Sequence, residues 1–389
     1  RFPLFCDTPP RPGADNGLWC DLHCHSEYTD DQVEFGPPLP VLTAMAKAVG
    51  LNVVGITDHS YDLDDLADDY LHNDPQLGKW HDMQAAVRRL SESSGIHLIA
   101  GEELSVGNSR DQNMHMLIFS DPTFYEGAGD SGERAFNCRP RHRLADLLPR
   151  LAPQAAVFAA HPEARPPLAQ RLILKREKWS SAEYGLHGLH GLQIWNGEGA
   201  SGFEEGIRVW VKELLQGRRL ALLGGNDRHG DFNRVRHVKI PFWSVLESRH
   251  HIFGQVRTGL YLERTAGIRE ILAAMRMGQS CISNGPFALL RVDGFLPGSV
   301  VTTWPAKIEI LLATSVAFGP ITQARLLMGD VATAQEQARL LPIPALSYRI
   351  EQAVAVERLP AKGYLRLEVV SETGKEKFRC LTNPVYLDS

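Results

Sequence analysis

The sequence predicts an α/β protein with a mainly parallel sheet or barrel, followed by an all-β region. Six apolar runs of strand length lie between residues 51 and 225, and helix-patterned stretches separate them. Two of these helical stretches end at Gly50 and Gly95, a common helix stop, and a strand follows each directly. From about Gly278 the pattern changes to short alternating runs joined by Gly, Pro and Asn turns, which is typical of β structure.

This change of pattern predicts three parts. We expect an N-terminal extension over residues 1–17, an α/β unit over 18–280 and a small sandwich-like β domain over 281–389. A chain of 389 residues, 43% of them hydrophobic, is long enough to form two apolar cores. Helices should pack outside the sheet or barrel of the larger unit.

Composition narrows the classes of partner. The formal net charge is -5, and Lys and Arg are scattered, so neither a nucleic acid polymer nor an anionic membrane is indicated. A small-molecule substrate is the better expectation, and the oligomeric state is not indicated. The six cysteines form no CxxC pair, which favours free thiols and a cytoplasmic location. Because the chain begins with Arg1, a removed export signal stays open as the alternative.

A pair of histidines follows the first apolar run, in the segment "DLHCHS". Side chains alternate along a strand, so His23 and His25 should share one face with Asp21, while Cys24 points to the other. Two histidines supply only half of a four-coordinate metal site, and a half-exposed surface pair fits this segment equally well. The other strand ends must distinguish the two interpretations.

Almost every predicted strand of the α/β unit supplies a metal-ligand residue type near one end. The strand ends of a barrel converge on one mouth, so these residues would become neighbours. Their number exceeds one closed zinc site and suits two or three divalent ions bridged by carboxylate and water. Four further histidines (His187, His190, His250 and His251) are expected to have surface or cap roles. The strand-end candidates are Asp58, His59, Glu102, Glu103, His115, His161, Asn196, Asp227 and His229.

The motifs "DLHCHS", "TDHS", "GEELS", "HPEAR" and "GGNDRH", in this order, resemble those of the PHP (polymerase and histidinol phosphatase) superfamily. The resemblance runs from about residue 18 to 235. It implies a distorted seven-stranded (β/α) barrel and a metal-dependent phosphoesterase activity. The C-terminal segments "SNGPFALLRVDG" and "LTNPVYL" are similar, more weakly, to a branch that includes carbaryl hydrolase-like enzymes.

The resemblance also implies a ligand set for two or three Mn, Zn or Fe ions. The first ion would be held by His23, His25, Glu103 and Asp227. Glu103 would bridge to a second ion on His115 and His161. A third would lie on His59, His229 and a carboxylate of "HSEYTDDQ", for which Asp30 is preferred over Asp31.

Asp58 and three arginines complete the candidate catalytic set. Asp58 could be a ligand, but a carboxylate that orients neighbouring imidazoles is the commoner use. Glu102 should face away from the ions, because it alternates with Glu103. Arg165, Arg228 and Arg234 follow ligand-bearing strand ends, where guanidinium groups could bind phosphate oxygens. A surface salt bridge is the alternative role for each arginine.

The predicted function is hydrolysis of a phosphoester in a small metabolite or nucleotide by a metal-bound hydroxide. Neither a GxSxG elbow nor a P-loop is present, so a serine hydrolase and a nucleotide kinase lack their minimum parts. Hydrolysis of a carboxyl ester or carbamate by the same metal centre is one alternative. A non-catalytic, metal-stabilised module is the other.

Overall fold

The computed structural model describes most of the chain. The side chains of residues 169, 234–237 and 244–246 are outside this description. The described residues are 11–31, 34–127, 138–166, 168–199, 201–232, 234–237, 244–246, 250–355, 359–374 and 376–388.

Strands dominate the described structure. In chain order they are β1 (Leu18–Cys24), β2 (Val53–Ile56), β3 (Asp65–Leu66), β4 (Asp69–Asn73), β5 (His97–Gly107), β6 (Asn113–Phe119), β7 (Ala156–Ala160), β8 (Gly191–Asn196), β9 (Ala221–Gly225), β10 (Arg234–His237), β11 (Ser244–Leu246), β12 (Arg257–Leu260), β13 (Ser280–Ser283), β14 (Phe287–Val292), β15 (Val300–Val301), β16 (Ile308–Ala313), β17 (Ile321–Asp330), β18 (Gln335–Leu340), β19 (Arg349–Ala353), β20 (Lys362–Thr373), β21 (Glu376–Thr382) and β22 (Val385–Asp388).

Helices are fewer, and several have only one turn. None of the described helices is long and apolar enough to cross a membrane. They are α1 (Leu39–Ala48), α2 (Ser60–Leu63), α3 (Gly78–Ser94), α4 (Leu144–Leu147), α5 (Leu168–Ile173), α6 (Ser181–Tyr184), α7 (Phe203–Leu215) and α8 (Ile268–Met277), with short 3₁₀ turns at Leu148–Arg150 and Val316–Phe318.

The fold is mixed α/β, as predicted, and one large mixed sheet organises it. Seven of its strands are hydrogen-bonded in the order β1-β2-β5-β6-β7-β8-β9. Strands β1, β2 and β5 run parallel, as do β7, β8 and β9, but β6 is antiparallel to both of its neighbours. The prediction of a mainly parallel sheet did not include this reversal. It arises because only five residues separate β5 from β6, too few for a parallel crossover.

The segment after β9 returns to the carboxyl end of β1. The His25 amide donates to the Arg228 carbonyl at 2.9 Å, and Cys24 and Arg228 form a parallel bridge. This close approach requires a glycine, because a Cβ on Gly225 would lie 2.8 Å from the His23 Cβ. The ends of β1 and β9 therefore meet, and the residues that follow them lie together.

An apolar cluster lies between these strands. Ile99, Leu117, Phe158 and Leu223 pack with Leu22 there, and all are nearly inaccessible to solvent. Burial of such side chains is the main favourable term in folding. Polar candidate residues follow these apolar positions at the strand ends, so the cluster supports them from below.

The C-terminal region is rich in strands, as predicted. The three-stranded sheet β14-β16-β19 packs on β17 and β20, and Leu289, Leu311, Leu326 and Leu367 share one apolar cluster. Strands β20 to β22 join the large sheet, because β13 pairs with both β12 and β21. The predicted boundary after residue 280 therefore falls within β13, where hydrogen bonding continues across it.

A buried arginine connects this region to helix α7. Arg366 on β20 is 1% exposed and binds Glu336 through two nitrogens, each at 2.8 Å. It also donates to Glu368 at 2.7 Å, and its guanidinium lies 5.2 Å from the ring centroid of Trp210. A buried, fully paired guanidinium of this kind is costly to remove alone, because its partners lose their compensating charge.

We predict that Arg366→Met lowers the free energy of unfolding by about 3–5 kcal/mol. Denaturant unfolding would measure the loss. The matched control is Arg349→Met, since Arg349 pairs with Glu351 on the exposed surface. Exposed pairs contribute at most about 1 kcal/mol. Equal effects of the two substitutions would contradict the importance of the buried group.

Candidate metal centre

The side chain of Glu103 lies at the centre of a group of histidines and is 1% exposed. Its Oε2 atom lies 3.3 Å from each of three imidazole nitrogens, namely Nε2 of His23, Nε2 of His25 and Nδ1 of His59. His23 and His25 lie at the end of β1, His59 follows β2, and Glu103 lies within β5. The histidines of "DLHCHS" are therefore part of a buried centre and not a surface pair.

The other oxygen of Glu103 faces two more histidines. Oε1 lies 2.6 Å from Nδ1 of His115 and 2.9 Å from Nε2 of His161. His115 belongs to the start of β6, which points toward the site because that strand runs antiparallel. His161 follows β7. Glu103 can thus serve two ions, one on each oxygen, as the bridging role requires.

Asp227 completes the first predicted ligand set. Its Oδ1 atom lies 3.4 Å from His23 Nε2 and 3.1 Å from His25 Nε2. A zinc-sized ion with bonds of about 2.1 Å keeps neighbouring tetrahedral ligand atoms about 3.4 Å apart. The four nitrogen–oxygen distances among His23, His25, Glu103 and Asp227 are 3.1–3.4 Å. This spacing fits one ion held by all four residues.

A third group involves a carboxylate that was not predicted. Glu34 Oε2 lies 3.4 Å from His59 Nε2 and 3.3 Å from His229 Nε2. Asp30, the preferred candidate, is exposed, and Asp31 accepts from the Glu34 amide at 2.6 Å. Among the described residues, Asp30 is not grouped with these histidines; it forms an antiparallel bridge with Phe35, and this pairing brings Glu34 to them. Sequence spacing could not reveal this pairing.

Several imidazole nitrogens of the centre are free to bind a cation. His23 Nε2, His59 Nδ1 and His229 Nε2 are buried and, within the described part of the chain, make no hydrogen bond. Buried polar atoms without partners are costly and rare. The groups that could each hold an ion are His23, His25, Glu103 and Asp227; His59, Glu103 and His115; and His25, His59 and His229. Histidine and carboxylate donors suit Zn, Mn or Fe.

Electrostatics favour ionised carboxylates in this centre. Burial opposes ionisation of Glu103 and Asp227, but the facing histidines hold the pKa of both carboxyls well below their usual values. Burial lowers the pKa of His59 to about 4. Burial acts on His25 in the same sense, but its contacts with Asp227 and Glu103 raise its pKa to about 10. An ion that binds His25 would therefore displace a proton.

Two candidate ligands have strained backbones. His161 and Asp227 adopt φ angles of 28° and 49°, in the left-handed region that disfavours residues with a Cβ. Such strain persists where surrounding contacts enforce it, and it is concentrated at functional sites. Here the His161 amide donates to Gln193 Oε1 at 2.8 Å, and Asn196 donates to Asp227 Oδ2 at 3.0 Å.

Asp58 supports the centre from behind. Its carboxylate accepts from the amide and hydroxyl of Ser26 at 2.6 and 2.7 Å, and from those of Thr29 at 3.2 and 2.9 Å. The Thr29 hydroxyl in turn lies 3.2 Å from Nδ1 of His25. Asp58 thus orients an imidazole through Thr29, and its two oxygens are engaged by hydrogen bonds away from the candidate ions.

Glu102 faces away from the centre, as predicted. It accepts from Trp80 Nε1 at 2.8 Å and from the Ser60 hydroxyl at 3.1 Å. Alternation along β5 therefore holds at this position. Along β1 the register with β2 shifts between Asp21 and Cys24, but His23 and His25 still face the same oxygen of Glu103. The Asp21 carboxylate accepts a hydrogen bond of 2.6 Å from Nδ2 of Asn226, the residue before Asp227.

A cavity of about 400 Å³ opens on these residues. Among the described side chains, two arginines line it, Arg165 and Arg176, and Arg176 lies 2.8 Å from His115 Nδ1. The exposed His250 and the half-buried His251 also line the cavity, and their Nδ1 atoms lie 2.8 Å from the carbonyl oxygens of Glu198 and Asn226. Arg176 and this histidine pair come from segments without a ligand motif. Their sequence contains no local signal for the site.

The three predicted phosphate-binding arginines differ in their surroundings. Arg228 is 0% exposed, and its guanidinium lies 5.2 Å from the ring centroid of Phe232. It cannot contact a substrate in the cavity, because its side chain is enclosed beside β1 while Asp227 and His229 face the centre. The side chain of Arg234 lies outside the described residues. Of the two arginines whose side chains are described, Arg165 lines the cavity and Arg228 does not.

Neither a protein-family model nor a curated protein sequence matches this chain. Buried groups of His, Glu and Asp that could bind several metal ions are what the structure itself provides.

We predict that Glu103→Gln removes more than one metal ion per chain, because Glu103 faces two ligand groups at once. Elemental analysis of protein purified with Mn, Zn or Fe would measure the content. Glu102→Gln is the matched control and should keep wild-type metal content. Retention of all ions by the Glu103 variant would refute the bridging role.

A second prediction concerns the unexpected carboxylate. Glu34→Gln should weaken or remove the ion nearest His59 and His229 and leave the ion on His23 and His25 in place. Asp30→Asn should change neither, since Asp30 is exposed. Calorimetric titration with metal would resolve the sites. Loss of this ion in the Asp30 variant and its retention in the Glu34 variant would support Asp30 as the ligand.

Proposed function

We propose that this protein is a metal-dependent phosphoesterase of the PHP superfamily that binds two or three Mn, Zn or Fe ions. The observation that carries the proposal is the spacing of His23, His25, Glu103 and Asp227, whose nitrogen–oxygen distances of 3.1–3.4 Å suit one shared ion. The motif order and the five histidines around Glu103 support it further.

We also propose the distorted seven-stranded barrel of that superfamily. Its support is the strand order from β1 to β9 and the hydrogen bond from the His25 amide to the Arg228 carbonyl. In such a barrel the ligand-bearing ends share one mouth, which accounts for a centre built from residues as distant in sequence as His23 and His229.

The side chains around the ions would have different roles in hydrolysis. When bound, the ions would lower the pKa of a coordinated water and offset the negative charge of the phosphoester. Glu103 keeps the ligand groups at a fixed separation. Asp58, through Thr29, and Gln193 hold the imidazoles of His25 and His23 in orientation, with Gln193 Oε1 lying 3.3 Å from His23 Nδ1.

Arg176 is the best-placed cation for the scissile phosphate. It is half-buried, lines the cavity and lies against His115 of the centre. A guanidinium in this position can donate two hydrogen bonds to phosphate oxygens. Arg165, also in the cavity wall, is exposed and lies where the cavity widens toward a second one.

The second candidate is a carboxyl ester or carbamate hydrolase with the same centre. The enclosure of Arg228 favours keeping it, because one of the three arginines that indicated a phosphate ester does not reach the cavity. The two candidates differ in the charge of the substrate. A phosphate ester brings a dianion that Arg176 would hold, whereas a carbamate or carboxyl ester is neutral.

We predict that Arg176→Ala lowers kcat/KM for phosphomonoesters roughly tenfold to a hundredfold, from loss of a charge-assisted contact of about 1.5–3 kcal/mol. Neutral esters should lose far less. Initial rates on matched phosphate and carboxylate esters would be compared, with metal content checked in each variant. Arg171→Ala removes an equal charge outside the cavity and should leave both rates unchanged.

The wild-type preference decides between the two hydrolases. A panel of phosphomonoesters, phosphodiesters and carboxyl esters would be assayed with each metal. Faster hydrolysis of the neutral esters, or wild-type phosphatase efficiency in the Arg176 variant, would favour the second candidate. Absence of hydrolysis with every metal and ester would support the non-catalytic module.

A further inference from the structure

A second cavity, of about 470 Å³, adjoins the one at the metal centre. Arg165, Gly199 and Ser201 line both cavities, so the two share a wall. The combined space is larger than a phosphate group requires. A substrate bound at the centre could therefore extend across Arg165 into the second cavity.

Gly202, in the wall of the second cavity, packs closely against neighbouring backbone. A Cβ on Gly202, whose φ is 96°, would lie 2.6 Å from the backbone carbon of Glu163. In the same wall, Trp195 and Phe203 stack with ring centroids 4.2 Å apart and form an apolar side of the cavity. The second cavity therefore has a preformed shape next to the first.

Its charged groups are almost all paired within the protein. Lys178 donates to Glu163 at 2.7 Å, and Glu163 also accepts from the Tyr184 hydroxyl at 2.8 Å. Arg208 pairs with Glu205. The remaining carboxylate of the wall, Glu204, pairs with Arg379.

Arg165 differs from these groups. Within the part of the chain that the structure describes, it makes no hydrogen bond or ion pair. It is nevertheless close to the others: the pKa of Glu205 is lowered mainly by its hydrogen bond from Arg208, with smaller contributions from Lys178 and Arg165. One guanidinium is thus available where the two cavities meet, with the Lys178 ammonium nearby.

We propose that the second cavity binds the leaving-group part of the substrate and that this part carries a second anion, a phosphate or carboxylate, held by Arg165 and Lys178. This inference rests on the proposed function, because it assumes that the scissile phosphate occupies the metal centre. It narrows the substrate to a phosphoester with two anionic groups separated by a short spacer. The planar guanidinium of Arg165 can donate two parallel hydrogen bonds to either a phosphate or a carboxylate.

The test uses the metal-loaded full chain and non-hydrolysable probes. Calorimetry would compare α,ω-alkanebisphosphonates of increasing chain length with alkylphosphonates of the same length, and with ω-phosphonocarboxylates. We expect the best-fitting two-anion probe to bind roughly tenfold to a hundredfold more tightly than its one-anion partner. Comparison of the bisphosphonate and phosphonocarboxylate arms identifies the second anion.

Substitutions locate the second contact. Arg165→Ala should reduce the ratio of the two affinities to near one, because the two-anion probe loses more affinity than the alkylphosphonate. Lys178→Met should reduce the ratio partly, and Arg171→Ala, outside both cavities, should not change it. Retention of the full ratio by the Arg165 variant would place the second anion elsewhere.

The outcomes separate the two levels of proposal. If alkylphosphonates bind but a second anion adds no affinity at any length, the leaving-group inference is refuted and the phosphoesterase remains. If neither class binds the metal-loaded chain, the anion site at the centre is refuted, and the inference with it.

Discussion

The arrangement depends on one buried carboxylate surrounded by imidazoles. Glu103 is almost inaccessible to solvent, and five histidine nitrogens lie within 3.3 Å of its two oxygens. An isolated ionised carboxylate in such a place would be strongly destabilising. Only positive charge close to both oxygens can compensate it, whether on protonated histidines or on bound cations. That requirement fixes where the strand ends must lie.

The large sheet meets this requirement by joining distant segments. The parallel strands β1, β2, β7 and β9 present their carboxyl ends to the centre, and the antiparallel β6 presents its start. The meeting of β1 with the segment after β9 places Asp227 beside His23 and His25. Apolar residues such as Ile99 and Phe158 fill the space below, so the polar residues cannot collapse inward.

Hydrogen bonds then set orientation. Asp58 is fully engaged by Ser26 and Thr29, and Gln193 contacts both the His23 ring and the His161 backbone. These residues explain why a centre so rich in donors keeps a single geometry: each imidazole has little freedom left. Among the described residues, Arg165 and Arg176 bring positive charge to the cavity, and this charge supports the phosphoesterase proposal.

Much of this protein was accessible from its sequence, because hydrophobic periodicity and strand-end residues are local properties. The strands of the α/β unit, the strand-rich C-terminal region and the opposite orientation of Glu102 and Glu103 followed from patterns of a few residues. The grouping of His23, His25, Glu103 and Asp227 was implied by the resemblance of the motifs to those of a known superfamily. Tertiary structure decided the rest. Glu34 lies beside His59 and His229 because the neighbouring Phe35 pairs with Asp30, and β6 reverses because its connection is short. Arg228 is enclosed because the segment after β9 pairs with β1, while Arg176 and His250 reach the cavity from segments with no ligand motif. Such positions depend on contacts between residues far apart in the chain, and a local pattern carries no information about them.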